Sequence, residues 1–215
     1  LNGYRYMNWG ESLSFIVSML AITNPAGSLA VFLGMTADKT EADRKQTALT
    51  TTFAIFVVLV LMTWVGIPIL KVFGISLPAF QITGGLIILL HGLSMLHSKE
   101  TPTSQTADEL ETKTYRESIA VVPLAIPIIA GPGAMTNVII FSRHFPNVWD
   151  RVLICVDILI VTLIVGGVLF FASRIGRIIG DAGIKITTRI MGLMLSAIAM
   201  SMMTNGLTEL FPGWS

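Results

Sequence analysis

The sequence predicts an all-α membrane protein: six transmembrane helices as two inverted three-helix repeats, with the first and fourth helices broken. Three observations lead there. Of the 215 residues 53% are apolar and only 13% charged, with a mean hydropathy of +0.76, whereas a soluble domain carries about 25% charge. Apolar stretches of roughly 20 residues, the length a bilayer core requires, recur six times with short polar gaps. Two of the stretches are interrupted by adjacent helix breakers, at Asn24-Pro25-Ala26-Gly27 and Ala130-Gly131-Pro132-Gly133. Residues 1–215 therefore read as a single transmembrane domain.

Leu1 to Gly10 is a polar and aromatic lead, expected to be poorly ordered, with Met7 a candidate natural start. The first span, Leu13 to Gly34, has neither a basic leader nor an A-x-A-like site at its end and is expected to be retained. A charged connector, Thr36 to Gln46, carries Thr40 and Asp43 at capping-box spacing, which predicts a helix running into the second span, Thr47 to Leu70. Val72 to Ala79, with Gly74 and Pro78, reads as a tight turn before the third span, Phe80 to Leu96. Ser98 to Lys113 is the longest polar loop and divides the halves. Thr114 and Glu117 repeat the capping spacing ahead of the fourth span, Ser118 to Phe141, which holds Pro123, Pro127 and the second break. Val152 to Ala172 is the fifth span. Ser173 to Arg189 is a basic, glycine-punctuated connector, and Ile190 to Leu210 is the sixth span.

A constant shift of 107 residues carries Pro25 onto Pro132, Gly85 onto Gly192 and Ser94-Met95 onto Ser201-Met202, so the repeats run from about 8 to 97 and from about 114 to 212. Each holds three spans. An odd number sends the second half into the membrane from the opposite side, which makes the repeat inverted and brings both breaks toward the midplane. On one side of the membrane the segments between spans hold Lys39, Arg44, Lys45, Lys99, Lys113, Arg116, Arg174, Arg177, Lys185 and Arg189. The other side holds Arg5, Lys71, Arg143 and Arg151. The positive-inside rule puts the richer side in the cytoplasm and both termini outside.

Several motifs resemble one family. Asn24-Pro25-x-Gly27 in the first span, Val122-Pro123-Leu124-Ala125-Ile126-Pro127 running into Ala130-Gly131-Pro132-Gly133-Ala134, and Arg189-Ile190-Met191-Gly192-Leu193 in the sixth are similar to the MarC family of bacterial inner-membrane proteins. The resemblance spans essentially the whole chain. It implies a multi-pass protein of the bacterial inner (cell) membrane. Some members are described as neutral amino acid transporters of the SnatA type, so it also implies a transporter of small substrates such as glycine and alanine with a coupling proton.

The breaks suggest how such a substrate would be held. A proline costs a helix interior about 3 kcal/mol, and unwound backbone in a membrane is tolerated where it is buried in protein or lines a cavity, the setting of transporter sites. A helix that restarts after a break offers unpaired N–H groups and a positive dipole end, suited to a carboxylate. Ala26, Gly27 and Ser28 form one such end; Gly133, Ala134 and Met135 form the other. The carbonyls of Thr23 and Ala130, ahead of Asn24-Pro25 and Gly131-Pro132, would meet an ammonium group. Kinks eased by neighbouring helices are the plainer reading of any single Pro-Gly pair.

Two titratable side chains fall inside spans and are candidates for proton coupling, Asp157 and His91. The alternatives are a carboxylate facing the outer water or Arg151, and a satisfied core histidine. Gln81, Thr83, Asn137, Ser201 and Asn205 are expected to bond between helices, while Gly84, Gly85, Gly92, Gly166 and Gly167 are expected to let helices approach. Cys155 is a single cysteine within a span and reads as packing. A net charge of +1 gives nucleic acid no basic face. His91, His97 and His144 lie on different segments, so neither a metal nor a cofactor is expected, and with no H-E-x-x-H or G-x-S-x-G motif an enzyme is not expected. The lipid bilayer and a small solute are the partners implied. A passive channel or an exporter of other small solutes is the rival reading, and oligomerisation stays open.

Overall fold

A computed structural model describes residues 7–97 and 129–211 together with Gly213, the side chains of His97 and Asp181 apart. The dividing loop, Thr114, Glu117, Pro123 and Pro127 fall outside the described residues. Within the described residues seven helices follow in order: α1 Trp9–Thr23, α2 Pro25–Met35, α3 Glu41–Val72, α4 Leu77–His97, α5 Pro132–His144, α6 Val148–Phe170 and α7 Ala172–Leu210. Among the described residues five stretches are long and apolar enough to cross a membrane: Trp9–Met35, Glu41–Val72, Leu77–Leu96, Val148–Phe170 and Ala182–Leu210. The first part of the expected fourth span lies outside the described residues, and α5 is its described remainder.

Local chemistry sets the helix ends. Helix α1 opens on a full capping box in which Asn8 Oδ1 accepts from the Glu11 N–H at 3.0 Å and the Asn8 N–H donates to Glu11 Oε2 at 3.2 Å. The lead is therefore structured from Met7 onward, not loose to Gly10 as expected. Thr40 caps α3 by accepting from the Asp43 N–H. The turn after α3 is made by Gly74 at φ 66°, and Pro78 sits in the first turn of α4, where its missing donor costs nothing. The expected connector Ser173 to Arg189 is helical instead. A single departure at Gly180 (φ 63°, ψ 169°) redirects the chain inside α7, in a region of backbone space that glycine alone enters freely.

Pairwise contacts give the helix directions. Met7 N–H donates to Asp150 and Ser12 Oγ to Asp157, so α1 and α6 run parallel. Helix α3 opposes α6, since Trp64 lies against Arg151 while Thr52 lies against Gly166. Helix α5 opposes both α1, through Asn137 on Ser18 and Phe141 on Phe15, and α4, through Thr136 on Gly84 and Gly133 on Ile88. The most extensive contact joins α4 to α7, which also run antiparallel. Here glycine is required: a Cβ on Gly85 would stand 2.9 Å from the Ala199 carbonyl oxygen and one on Gly92 2.8 Å from that of Gly192. The backbones meet with nothing between them, as small residues allow in membranes.

The core gathers Phe15, Met19, Phe32, Ile55, Leu59, Ile154, Ile158 and Leu195. Outward faces carry Phe53, Leu61, Leu90, Leu163 and Leu193, each 60% or more exposed apart from Leu61 at 51%. Apolar exposure on that scale would be a liability in water and is what acyl chains cover.

Candidate functional site

The first break forms because Asn24 takes a left-handed conformation, φ 42° and ψ 74°, ending α1 and starting α2 with Pro25 at its first position. Asparagine tolerates that region better than other side-chain-bearing residues. Its side chain then closes the new helix end, Oδ1 accepting from the Gly27 N–H at 3.1 Å, while Nδ2 reaches Met95 Sδ on α4 at 3.6 Å. Ser28 Oγ donates to the Thr23 carbonyl at 2.9 Å. Thr23 Oγ1 donates back to the Met19 carbonyl at 2.8 Å. Thr23, Asn24 and Ser28 are all buried, and Pro25, Ala26 and Gly27 partly so. Most polar groups expected to meet a ligand here are thus already engaged by the segment's own side chains.

The second proline segment, described from residue 129 onward, is built differently. Gly131 stands ahead of α5 in extended conformation with Pro132 at the first helical position, and among the described residues no side chain caps the helix. Pro132 has no N–H, so the amides of Gly133 and Ala134 are the first donors of α5. Ala130, Gly131, Gly133 and Ala134 are buried, Met135 is partly buried, and Pro132 is exposed. A Cβ on Gly133 would stand 2.5 Å from Ile88 Cγ1 and 3.6 Å from Ile22 Cγ2.

The two breaks are brought together on α4. Ile88 meets the second and Met95 the first, seven residues or about 10 Å apart along the helix. Ile22, two residues before Asn24, also reaches Gly133. Asn137 Nδ2 donates to Ser18 Oγ at 3.1 Å, tying α5 to α1 just beyond the breaks. Ile88 and Ile22 carry no polar chemistry, so only tertiary packing reveals them.

The two titratable candidates lie apart from each other. Asp157 is buried, and its Oδ2 accepts from Ser12 Oγ at 2.7 Å. It faces α1, whereas Arg151 lies over the Trp64 ring of α3. Because α6 begins at Val148, four residues before the expected start of the span, Asp157 lies about 14 Å along the helix from its N-terminal end. Its neighbour two turns earlier, Asp150, is buried too and accepts from the Met7 N–H and Asn147 Nδ2, each at 3.2 Å. The sequence reading passed over Asp150, although its place in the first turn of a helix marks it as a group satisfied by the helix start. His91 is exposed on α4. Among the described residues no three His, Cys, Asp or Glu side chains converge as a metal site would need.

Comparison with known proteins matches the MarC family integral membrane protein model over residues 9–211. The UPF0056 membrane protein YhcE of Escherichia coli is 34% identical, covering 93% of each chain. A UPF0056 membrane protein of Buchnera aphidicola subsp. Schizaphis graminum is 36% identical over 93% of this chain and 92% of its own, and PH0760 of Pyrococcus horikoshii is 35% identical over 90% and 92%. No solved structure matches. With the family's pattern running from the start of α1 past the end of α7, through both proline breaks, this chain belongs to the MarC family of integral membrane proteins.

Proposed function

We propose that this chain is a proton-coupled secondary transporter of small neutral amino acids such as glycine and alanine, and that it binds them between the two breaks. The observation that carries the reading is the start of α5: a helix end whose Gly133 and Ala134 are buried, begun by Gly131-Pro132 and, among the described residues, left without a side-chain cap. A buried helix end needs partners for its first donors. A substrate carboxylate on the Gly133 and Ala134 amides supplies them, helped by a dipole end worth about 0.3 to 1 kcal/mol and up to about 2 when partly buried. The ammonium group goes to the carbonyls of Ala130 and Thr23. The latter must first be released by Ser28. Ile88 fills the space beside Gly133, so the present arrangement is occluded, and entry requires that side chain to swing away. Only a small ligand fits the volume it vacates.

In this reading the six crossings form two inverted repeats. The opposed directions of α4 and α7 support it, as does their contact: the shift of 107 carries Gly85 onto Gly192 and Gly92 onto Ala199, so the Gly85–Ala199 and Gly92–Gly192 approaches are images of each other. Asp157 is the coupling group, with the Ser12 hydroxyl as its partner, and transport replaces catalysis. Both termini are outside the cell membrane. A reporter in the Ser98 to Lys113 loop should then be protected from impermeant reagents while one after Trp214 is labelled; the reverse pattern overturns this sidedness.

The test of function is uptake of labelled glycine and alanine by proteoliposomes with and without an imposed pH gradient. Gradient-dependent uptake is expected. Uptake indifferent to the gradient would favour a passive channel, and none at all would point to an exporter of other small solutes.

A further inference from the structure

At the membrane face where α2 and α6 end and α3 and α7 begin, a cleft of about 530 Å³ opens beside Arg44, Arg177 and Ser173, with a smaller one adjoining it at Lys45 and Arg174. Two guanidinium groups converge on one residue. Arg44 Nη1 donates to Ser173 Oγ at 2.7 Å and Arg177 Nε to the Ser173 carbonyl at 3.0 Å, while Arg44 Nη2 donates to the Thr36 carbonyl at 2.8 Å. These acceptors are neutral. Among the described residues no carboxylate pairs with either arginine; the walls hold one acid, Glu41, and it is paired with Lys45 at 3.3 Å. Arg44 Nε is buried with no partner at all. The cleft's apolar lining comes from Leu33 of α2 and Ile184 of α7, and Ile178, next in sequence to Arg177, is 84% exposed.

From this arrangement we propose a site for the phosphate of an anionic phospholipid, held by Arg44, Arg174 and Arg177, with its acyl chains lying along Leu33, Ile178 and Ile184. The chemistry is complementary on both counts. Cations that have no carboxylate partner among the described residues, gathered in a concave site at a helix-end layer, attract a phosphodiester, and the apolar lining beside them offers a flank to the tails. Gly176 packs on Leu33 of α2 and keeps the kinked start of α7 against the bundle, so the lipid would brace the junction between α6 and α7. Inorganic phosphate shares the headgroup's charge and lacks the tails.

The test uses the full chain in a neutral detergent, titrated with dioctanoyl phosphatidylglycerol, dioctanoyl phosphatidylcholine or inorganic phosphate, and followed by native mass spectrometry and Tm. Phosphatidylglycerol should bind and raise Tm, with the other two much weaker. The double change Arg174→Gln, Arg177→Gln should lower phosphatidylglycerol affinity roughly tenfold or more without moving the lipid-free Tm. Glu41→Gln, which removes the cleft's carboxylate, should raise affinity. A charge-matched pair at other helix ends, Lys71→Gln with Arg143→Gln, should change neither. Equal binding of phosphatidylcholine, phosphate binding as tight as the lipid's, or equal damage from the control pair would each overturn the site.

Discussion

Two helices of this chain begin on a proline, at Pro25 and Pro132, and their starts are finished in opposite ways. At the first, Asn24 turns through left-handed space and uses its own side chain to cap the helix it starts, while Ser28 takes up the Thr23 carbonyl. At the second, every residue from Ala130 to Ala134 is Ala, Gly or Pro, so the segment has no side chain able to cap α5. One break is chemically self-sufficient and the other incomplete. In the proposed transporter this difference divides the roles: the first segment persists without substrate, whereas the second gains most from it. It also explains why glycine sits at 133 with Ile88 packed into its missing Cβ, since an apolar plug keeps the uncapped end covered until something polar replaces it.

The largest effect is expected at Gly133. Gly133→Val forces a branched side chain into the space of Ile88 and Ile22, which should cost about 1–3 kcal/mol as overpacking and abolish glycine binding. Adding Ile88→Ala frees that volume and should recover stability, measured by unfolding in detergent. Binding should stay lost, because valine cannot swing aside as Ile88 can. If the double variant binds glycine, Gly133 serves packing alone and the contrast between the breaks fails.

Coupling comes next. Asp157→Asn keeps an oxygen for the Ser12 hydroxyl and should leave glycine binding unchanged while removing the response of uptake to a pH gradient. His91→Gln, at an exposed position of α4, should retain that response. Uptake by the Asp157→Asn variant that still follows the gradient would move coupling to the backbone of the breaks.

A smaller, purely structural effect separates the first break from the second. Asn24→Ala loses the cap and places alanine in left-handed space, so a loss of about 1–2 kcal/mol is expected. Asn24→Gly removes the cap without the conformational strain and should lose less. Equal losses in the two variants would mean that strain is not what asparagine relieves.

The interruption at Asn24-Pro25, the helix start at Gly131-Pro132 and the α4 glycines at the α4–α7 contact were legible in the sequence, because proline and glycine leave backbone signatures that survive without tertiary context. The incompleteness of the second break was legible too, in the plain fact that Ala-Gly-Pro-Gly-Ala has no capping atom. What escaped needed partners from elsewhere. Ile88 as the plug of Gly133 is one apolar residue among many until α4 is laid against α5. The depth of Asp157 depended on where α6 starts, and four further residues at its beginning moved the carboxylate about 6 Å inward along the helix. The helical start of α7 was read as a connector because its glycines and charges suggest a loop, yet Gly180 alone absorbs the change of direction. The Asn8–Glu11 box was present in the sequence and should have marked the start of α1.

The finest test asks whether the first break's self-sufficiency competes with substrate. Ser28 Oγ holds the Thr23 carbonyl, the oxygen assigned to the substrate ammonium. Ser28→Ala removes that donor and leaves a buried carbonyl short of a partner, which should destabilise the empty protein by about 0.5–1.5 kcal/mol, the net worth of one hydrogen bond. The same vacancy should help a ligand, since the ammonium no longer has to displace a hydroxyl. Glycine affinity should therefore rise, by at most roughly fivefold for about 1 kcal/mol of relieved competition. Opposite signs in stability and affinity are what distinguish a competing hydroxyl from a bystander. If both fall together, Ser28 is itself a substrate ligand, and the first break shares the binding work that the contrast reserves for the second.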